Sequence, residues 1–353
     1  MIVTRTPFRV TLGGGGTDLP SYYSQNGGFI FAMGLDKYMY VIVNRPIVGD
    51  KLILHYTQSE VVEHVSQLRH ELAREALKIN GVENNFEVSS LADLPAGTGL
   101  GSSSCYLVGL LNALHHDRRD FISLQNLAEE ACHIEIEILK EGIGKQDQYM
   151  AAFGGLTILE IARDGSVNVR QLQPSSSDIA EFVAHTHIYY TGAQRDAREV
   201  LADQNKAMQK KDSVDHARVA DSLHRIKELG YRILEAVQSS NYDSWGQLLH
   251  EHWQNKKKMS SKISLSVVDQ IYDEVRQRFG VLGGKIIGAG GGGFLMLYCP
   301  AHHAALERYM ADRGMPRMHY TIEPEGTKVV AHIGAGFLSV QRSLAVAREN
   351  VSS

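Results

Sequence analysis

Several things are scarce in this chain, and each scarcity closes off a class of protein. Only three cysteines, Cys105, Cys132 and Cys299, occur in 353 residues, scattered and without a Cys-x-x-Cys pair. That argues against a disulfide framework and fits reduced thiols in a cytoplasmic protein. Basic charge is not in excess either: 36 Lys and Arg stand against 40 Asp and Glu, a net charge of −4. Such a balance offers no surface for nucleic acid, so small anionic ligands have to be held by local groups. No apolar run approaches the roughly 18 residues of a membrane span. The start, Met1-Ile-Val-Thr-Arg-Thr-Pro-Phe8, also lacks the layout of a signal peptide. A cytoplasmic protein without a membrane or nucleic-acid partner is therefore expected. The 16 histidines include His115-His116, His250-x-His252 and His302-His303. None has cysteines nearby or a His-Glu-x-x-His helix, so they read as surface histidines rather than metal ligands.

What is present suits a folded protein longer than one ordinary domain, with 43% apolar and 22% charged residues. Alternation predicts strands over 2–12, 29–33, 38–43, 52–56 and 86–91. A helical pattern covers 65–79, and another helix starts with Ser123 as cap and runs to about Leu139. A strand near 156–161 follows, and Gln173-Pro-Ser-Ser-Ser-Asp178 has the composition of a linker. Beyond it the texture changes. A strand over 186–190 leads into charged amphipathic helices across 196–279, then short strands at 285–287 and 294–298. A helix near 301–313 and a late strand near 328–333 complete the pattern. Strands first and helices later suggest α+β layers in two domains.

The most informative stretch is Leu94-Pro-Ala-Gly-Thr-Gly-Leu-Gly-Ser-Ser-Ser-Cys105, followed by the apolar run 106–114. Glycines at 97, 99 and 101 let the backbone curl and approach a ligand closely. The serines open a helix whose first backbone N–H groups point outward, a setting that attracts phosphate. A Walker A loop is ruled out, because the lysine it requires is absent. In the helix that follows, Leu127, Ala128, Ala131 and Ile138 form one apolar stripe, and Glu135 falls within it. A lone carboxylate there is costly unless paired or bound to metal, and Mg²⁺ suits one carboxylate with phosphate oxygens and water. Glu130, His133 and Glu137 lie on other sides and read as solvated charge.

Asp147 sits in a glycine-marked turn, Gly142-Ile-Gly-Lys-Gln-Asp-Gln-Tyr149. Its company gives it meaning: a phosphate loop, a metal carboxylate at Glu135, and Arg9 in the first strand. Phosphoryl transfer needs a cradle for the donor phosphates, a metal, a group that orients the acceptor hydroxyl, and a cation for the moving charge. A third segment, Gly288-Ala-Gly-Gly-Gly-Gly293, matches Gly-x-Gly-x-x-Gly but is followed by a strand and has too little chain after it for a dinucleotide fold. It reads as a loop pressing its backbone against another loop or a ligand.

With these segments together, the chain strongly resembles the GHMP kinases, the family of galactokinase, homoserine kinase, mevalonate kinase and phosphomevalonate kinase. The matching stretches are Pro7-Phe-Arg-Val-Thr-Leu-Gly-Gly-Gly-Gly-Thr-Asp18, Pro95-Ala-Gly-Thr-Gly-Leu-Gly-Ser-Ser-Ser104 and Lys285-Ile-Ile-Gly-Ala-Gly-Gly-Gly-Gly-Phe294, in the family's order. The resemblance implies an α+β, two-domain GHMP kinase fold. Residues 1–174 would form a ribosomal protein S5 domain 2-like ATP-binding domain, and 175–345 a ferredoxin-like C-terminal domain. It implies ATP and Mg²⁺ as cofactors, with Pro95, Gly97, Gly99, Leu100, Gly101, Ser102, Ser103 and Ser104 around the ATP phosphates. Ser103 and Glu135 would ligate the metal, Asp147 and Arg9 would carry the chemistry, and Asp18 would hold sugar hydroxyls together with Gly15, Gly16, Thr17, Gly290 and Gly291. Galactokinases carry a Glu-His pair where this chain has Gly15-Gly16, which implies a roomier acceptor pocket.

The Gly-Gly-Gly-Gly-Thr-Asp-Leu-Pro-Ser-Tyr-Tyr start and Gly-Lys-Gln-Asp-Gln-Tyr look most like the D-glycero-D-manno-heptose 7-phosphate kinase branch. That branch phosphorylates the anomeric hydroxyl to a 1,7-bisphosphate on the route to nucleotide-activated heptose. An acceptor already bearing phosphate needs a basic clamp, for which Lys145, Arg195 and Lys37 are the candidates in falling order. The resemblance leaves a fucokinase or other hexose 1-kinase as the nearest alternative. A catalytically silent sugar- or nucleotide-sensing protein on the same fold is the alternative of another class. Expected partners are ATP and a small sugar phosphate, with a homodimer as the expected assembly.

Overall fold

The computed structural model describes residues 1–193, 197–210, 213–260, 262–290 and 292–333. Its strands are β1 (Ile2–Gly13), β2 (Gly28–Asn44), β3 (Leu52–His55), β4 (Ser59–Val62), β5 (Phe86–Ala92), β6 (Leu156–Ile161), β7 (Val167–Leu172), β8 (Thr186–Tyr190), β9 (Gly283–Ile286), β10 (Phe294–Tyr298), β11 (Arg317–Met318) and β12 (Lys328–His332). The helices are α1 (Pro20–Asn26), α2 (Glu71–Ile79), α3 (Ser102–Asp117), α4 (Leu124–Cys132), α5 (Gln146–Phe153), α6 (Ser176–His185), α7 (Ala197–Gln209), α8 (Val214–Gln238), α9 (Tyr242–Lys257), α10 (Ser266–Phe279) and α11 (His303–Ala311).

Among these, β2 organises the first sheet. It pairs with β1 along its length, with β6 over Gly28–Met33 and with β5 over Met39–Asn44. Sequence alternation suggests two strands here, because Asp36 and Lys37 interrupt it. The structure has one strand, and those polar residues fall where neither β5 nor β6 reaches. The sheet runs β12-β1-β2-β5-β3-β4, with β6 and β7 branching from β2, and only the β3–β5 pair is parallel. The late strand β12 returns to this sheet beside β1. A second sheet, β11-β8-β10-β9, is antiparallel throughout.

Helix α3 packs across β1 and β2 and is buried from Ser104 to His115, as an all-round apolar helix must be. Its core is shared with Leu229 and Ile233 of α8 and with Trp245 and Leu249 of α9, so the helical arm packs directly on the first sheet. A second core gathers around Tyr189, Trp253 and Tyr272. All three cysteines are free and buried. No helix among the described residues is long and apolar enough to cross a membrane.

Several expectations give way to local chemistry. The serine-rich stretch at 173–178, expected as a linker, opens α6: Ser175 caps the helix and Asp178 completes a reciprocal capping box. The helical pattern over 65–79 divides into a 3-10 turn at Val65–Gln67 and α2, whose cap is His70. His115 and His252, expected at the surface, are buried. His115 is held between Glu130 and Asp120, which takes Glu130 out of the solvated class as well.

The arm meets the sheet at Gly230 of α8. A Cβ there would lie 2.8 Å from the Phe29 ring and 3.1 Å from the Gly14 nitrogen. Replacing a helical glycine gains about 1 kcal/mol of propensity, while overpacking a tight joint costs about 1–3 kcal/mol; with leucine the second dominates. Gly230→Leu is expected to lower the urea midpoint by the equivalent of about 1–3 kcal/mol. An unchanged midpoint would show that this joint is loose.

Candidate active site

A cleft of about 1230 Å³ runs between the first sheet and the helical arm, with the glycine–serine loop along its wall. That loop is held in place by a second one. A Cβ on Gly288 would lie 2.6 Å from the Gly99 carbonyl, and one on Gly293 2.2 Å from the Thr98 carbonyl. The two glycine runs touch backbone to backbone, as the sequence suggested for the 288–293 segment. Helix α3 begins at Gly101, which takes a left-handed conformation (φ 83°) and offers no side-chain cap. The serines thus form the first helical turn rather than its cap, and its N–H groups are left without a capping side chain.

Arg9 is the centre of the site. Its Nε and Nη2 donate to Asp147 Oδ1 and Oδ2, both at 2.8 Å, and its Nη1 donates to the Gly99 carbonyl at 2.6 Å. Asp147 stands in the first turn of α5 rather than in a free turn, so helix geometry fixes its direction. Asp18 accepts from the backbone N–H of Gly16 and of Gln146. Its carboxyl lies where a side chain of Gly144 would be, since a Cβ there would come within 2.0 Å of Oδ2. Burial pushes the Asp18 carboxyl up to about 6, those N–H groups opposing and the charge of Asp147 adding.

Glu135 is 1% exposed. It rides on a π-helical turn, His133–Ile138, continuing α4. The wider turn shifts the register, so Glu135 faces inward while Ile138, expected in the buried stripe, is 38% exposed. Its carboxylate accepts from Ser104 at 2.7 Å and Gln148 at 2.5 Å. Burial pushes it up to about 7 despite the opposing hydrogen bonds from Ser104 and Gln148, with Asp147 raising it further. Gln148 Oε1 is buried without a partner beside it. A divalent cation fits this donor set: a buried carboxylate lacking a cationic partner among the described residues, and the exposed hydroxyl of Ser103 in the same helical turn. No cluster of three acidic, cysteine or histidine ligands exists among the described residues, so such an ion would draw its remaining ligands from phosphate oxygens and water.

Of the remaining expected site residues, Gly15, Gly16, Pro95, Gly97, Gly99, Gly101, Ser102 and Ser103 line the cleft. Leu100 and Ser104 do not: Leu100 is in the core, its carbonyl accepting from the Arg9 N–H, and Ser104 serves Glu135. Thr17 is buried and its hydroxyl is consumed by the backbone of Gly14 and Phe29. Lys145 is turned away, with its ammonium on Glu129 and the Gly165 carbonyl. Lys37 pairs with its neighbour Asp36, outside the cleft. Gly288 and Ala289 form the wall instead of Gly290, which packs on the backbone of Ile263. Arg195 and Gly291 lie outside the described residues.

Sequence reasoning missed two groups in the lining. One is an aromatic wall, where His70 lies between Tyr56 and Tyr106 with ring centroids 4.8 and 5.0 Å away. The other is the pair Lys256 and Lys285. Neither grouping carries a local signal, since the members come from separate elements, although Lys285 by itself opens the third family-like stretch.

Two sequence profiles match, "GHMP kinases N terminal domain" over residues 61–155 and "GHMP kinases C terminal" over 233–314, together half of the chain. The chain belongs to the GHMP kinase family. It is therefore a small-molecule phosphotransferase of a family that uses ATP as phosphate donor. It is 27% identical over 309 residues to a D-glycero-alpha-D-manno-heptose 7-phosphate kinase of Campylobacter jejuni, covering 84% of this chain and 89% of that one. It is also 27% identical to an L-fucokinase/L-fucose-1-P guanylyltransferase of Bacteroides fragilis, covering 86% of this chain and 35% of that longer protein. Among solved structures it is similar to a D-glycero-D-manno-heptose 1-phosphate kinase from Bacteroides thetaiotaomicron. The TM-score is 0.77 at 21% identity, covering 95% of this chain and 100% of that one.

The raised Glu135 carboxyl has a measurable consequence. Between its ordinary value of 4.5 and about 7 the folded chain of this GHMP kinase keeps a proton that the unfolded chain has released. Glu135 therefore contributes stability below that window and loses it as pH rises through it. Glu135→Gln is expected to melt increasingly above the parent as pH rises from about 4.5 to about 7 in the absence of metal, the gap levelling off above that. Equal melting temperatures at every pH would show that the carboxyl is not strained.

Proposed function

We propose that this GHMP kinase transfers the γ-phosphoryl group of ATP to the anomeric hydroxyl of D-glycero-D-manno-heptose 7-phosphate, giving the 1,7-bisphosphate that leads to nucleotide-activated heptose. The observation that carries the reading is the convergence of Arg9, Asp147 and Asp18 on one cleft beside the glycine loop. The Campylobacter jejuni relative, matched over most of both chains, supports the choice of sugar.

In this reading Gly97, Gly99, Gly101 and the first turn of α3 cradle the triphosphate, and the aromatic wall of Tyr56, His70 and Tyr106 takes the base. Ser103 and Glu135 hold Mg²⁺, which when bound neutralises phosphate charge. Asp18 fixes a sugar hydroxyl next to the reacting one. Both oxygens of Asp147 are engaged by Arg9, which sets the carboxylate plane and leaves a lone pair on each. One of these accepts the proton of the attacking hydroxyl as its oxygen bonds to phosphorus and the bond to ADP breaks. Arg9 then faces the negative charge spread over the moving group. Positioning of this kind can supply roughly 7–11 kcal/mol, and proton transfer typically about 10²–10⁴-fold in rate.

An L-fucokinase is the second reading, supported by the equal identity to the Bacteroides fragilis protein. ADP release measured over free heptose, heptose 7-phosphate, L-fucose and D-galactose separates the two. Heptose 7-phosphate is expected to give the highest kcat/KM, and a preference for L-fucose would replace the reading. Asp147→Asn is expected to lose about 10²–10⁴-fold in kcat while still binding ATP. Turnover within a few-fold of the parent would remove Asp147 from the chemistry.

A further inference from the structure

The cleft's helical side carries two cations that the chemistry above does not use. Lys256, near the end of α9, and Lys285, on β9, both line the cleft and are only 7% and 2% exposed. Each ammonium is held by one backbone carbonyl, Lys256 by Gly288 and Lys285 by Leu12 at 3.3 Å. Among the described residues neither has a carboxylate within ion-pair distance. One turn before Lys256, His252 is fully buried, and neither of its ring nitrogens has a partner. Two buried ammonium groups beside an unpaired imidazole are costly unless an anion completes them. The other lysines considered for this role are spent elsewhere, Lys145 on Glu129 and Lys37 on Asp36.

From this arrangement we infer that Lys256 and Lys285 form the clamp for the phosphate that the acceptor already carries, a deepening of the heptose 7-phosphate reading on which it rests. The contact of Lys285 with the Leu12 carbonyl puts the pair on the acceptor's side, because β1 runs from Leu12 directly into the turn at 15–18 that lines the cleft. Burial lowers Lys256 to about 8, with Arg9 lowering it further and Asp18 opposing. Burial, then Lys256 and Arg9, hold Lys285 well below its ordinary value. Burial and then the two lysines do the same to His252, which keeps the imidazole neutral. Lys285 thus stands at the end of β1 that leads into the Asp18 turn, with Lys256 beside it at the Gly288 loop. Binding a phosphate there restores full charge to both ammonium groups and repays their burial. Leu12 lies in β1 and the Gly288 loop packs on Gly99, so these two contacts join the clamp to the first strand and to the glycine–serine loop.

Kinetics of the full chain and of Lys256→Met, Lys285→Met and Lys256→Arg test the clamp. The ratio of kcat/KM for heptose 7-phosphate to that for free heptose is expected to fall at least about tenfold in each methionine variant, chiefly through KM. Arginine at 256 should recover part of the loss, because it restores the charge. The melting temperature provides a second measurement. A buried lysine kept for a ligand should give an equal or higher melting temperature when replaced by methionine, and the rise that heptose 7-phosphate produces in the parent should disappear. A ratio that survives in both methionine variants overturns the clamp and leaves the heptose reading in place. A parent that shows no preference for the phosphorylated sugar overturns both. If the parent phosphorylates no heptose at all, the substrate reading fails alone, and the melting test is repeated with inorganic phosphate. Stabilisation of the parent but not of the Lys256→Met, Lys285→Met double variant would then support the clamp, and equal behaviour would overturn it.

Discussion

One guanidinium ties the site together. Arg9 leaves the first strand, grips both oxygens of Asp147 in the first turn of α5 and reaches the carbonyl of Gly99 in the glycine–serine loop. Its own backbone N–H bonds to the carbonyl of Leu100, so strand, helix and loop are fixed by a single residue. A buried charge pair of this kind adds little net stability, because desolvation offsets the attraction. What it supplies is direction. The planar fork fixes the plane of the carboxylate relative to the loop, and a reaction that depends on in-line placement needs that rigidity.

Around this pair the cleft keeps charges of both signs under tension. Burial pushes Glu135 and Asp18 up, and pushes Lys256 and Lys285 down. Several polar groups elsewhere meet partners: Glu130 meets His115, Lys145 meets Glu129, and Thr17 meets the backbone on both sides. The strained groups are gathered where a triphosphate, a cation and a sugar would relieve them. Perturbed carboxylates and ammonium groups concentrated in one cleft mark function in their own right, and stability forgone there is recovered on binding.

How much could be read in advance differs from element to element. The strands β1, β5, β6, β8 and β10 follow from alternation, and the tight curl before α3 follows from its glycines, because those signals are local. Glu135 stands out as a carboxylate in an apolar stripe, though the stripe itself is redrawn by the π-turn, which turns Ile138 outward. The serines at 173–178 look like a linker by composition and act as a helix start, since one cap and one carboxylate outweigh the rest of the segment. Lys145 carries no mark to show that Glu129 and a carbonyl already hold it. Lys256 and Lys285 carry none to show that they are buried together.

The sequence by itself determined the family and the curl of the loop at 97–101, and it singled out Asp147 and Arg9 as candidates, because backbone freedom, helix starts and functional groups are properties of residues and their near neighbours. Only the tertiary structure decided which charges meet. Arg9 and Asp147 lie far apart along the chain, as do Lys256 and the glycine carbonyl that holds it, and such pairs exist only once strand, helix and loop have packed. Desolvation is likewise a property of that packing, so the tuning of Glu135, Asp18 and the two lysines could be read from no stretch of sequence alone.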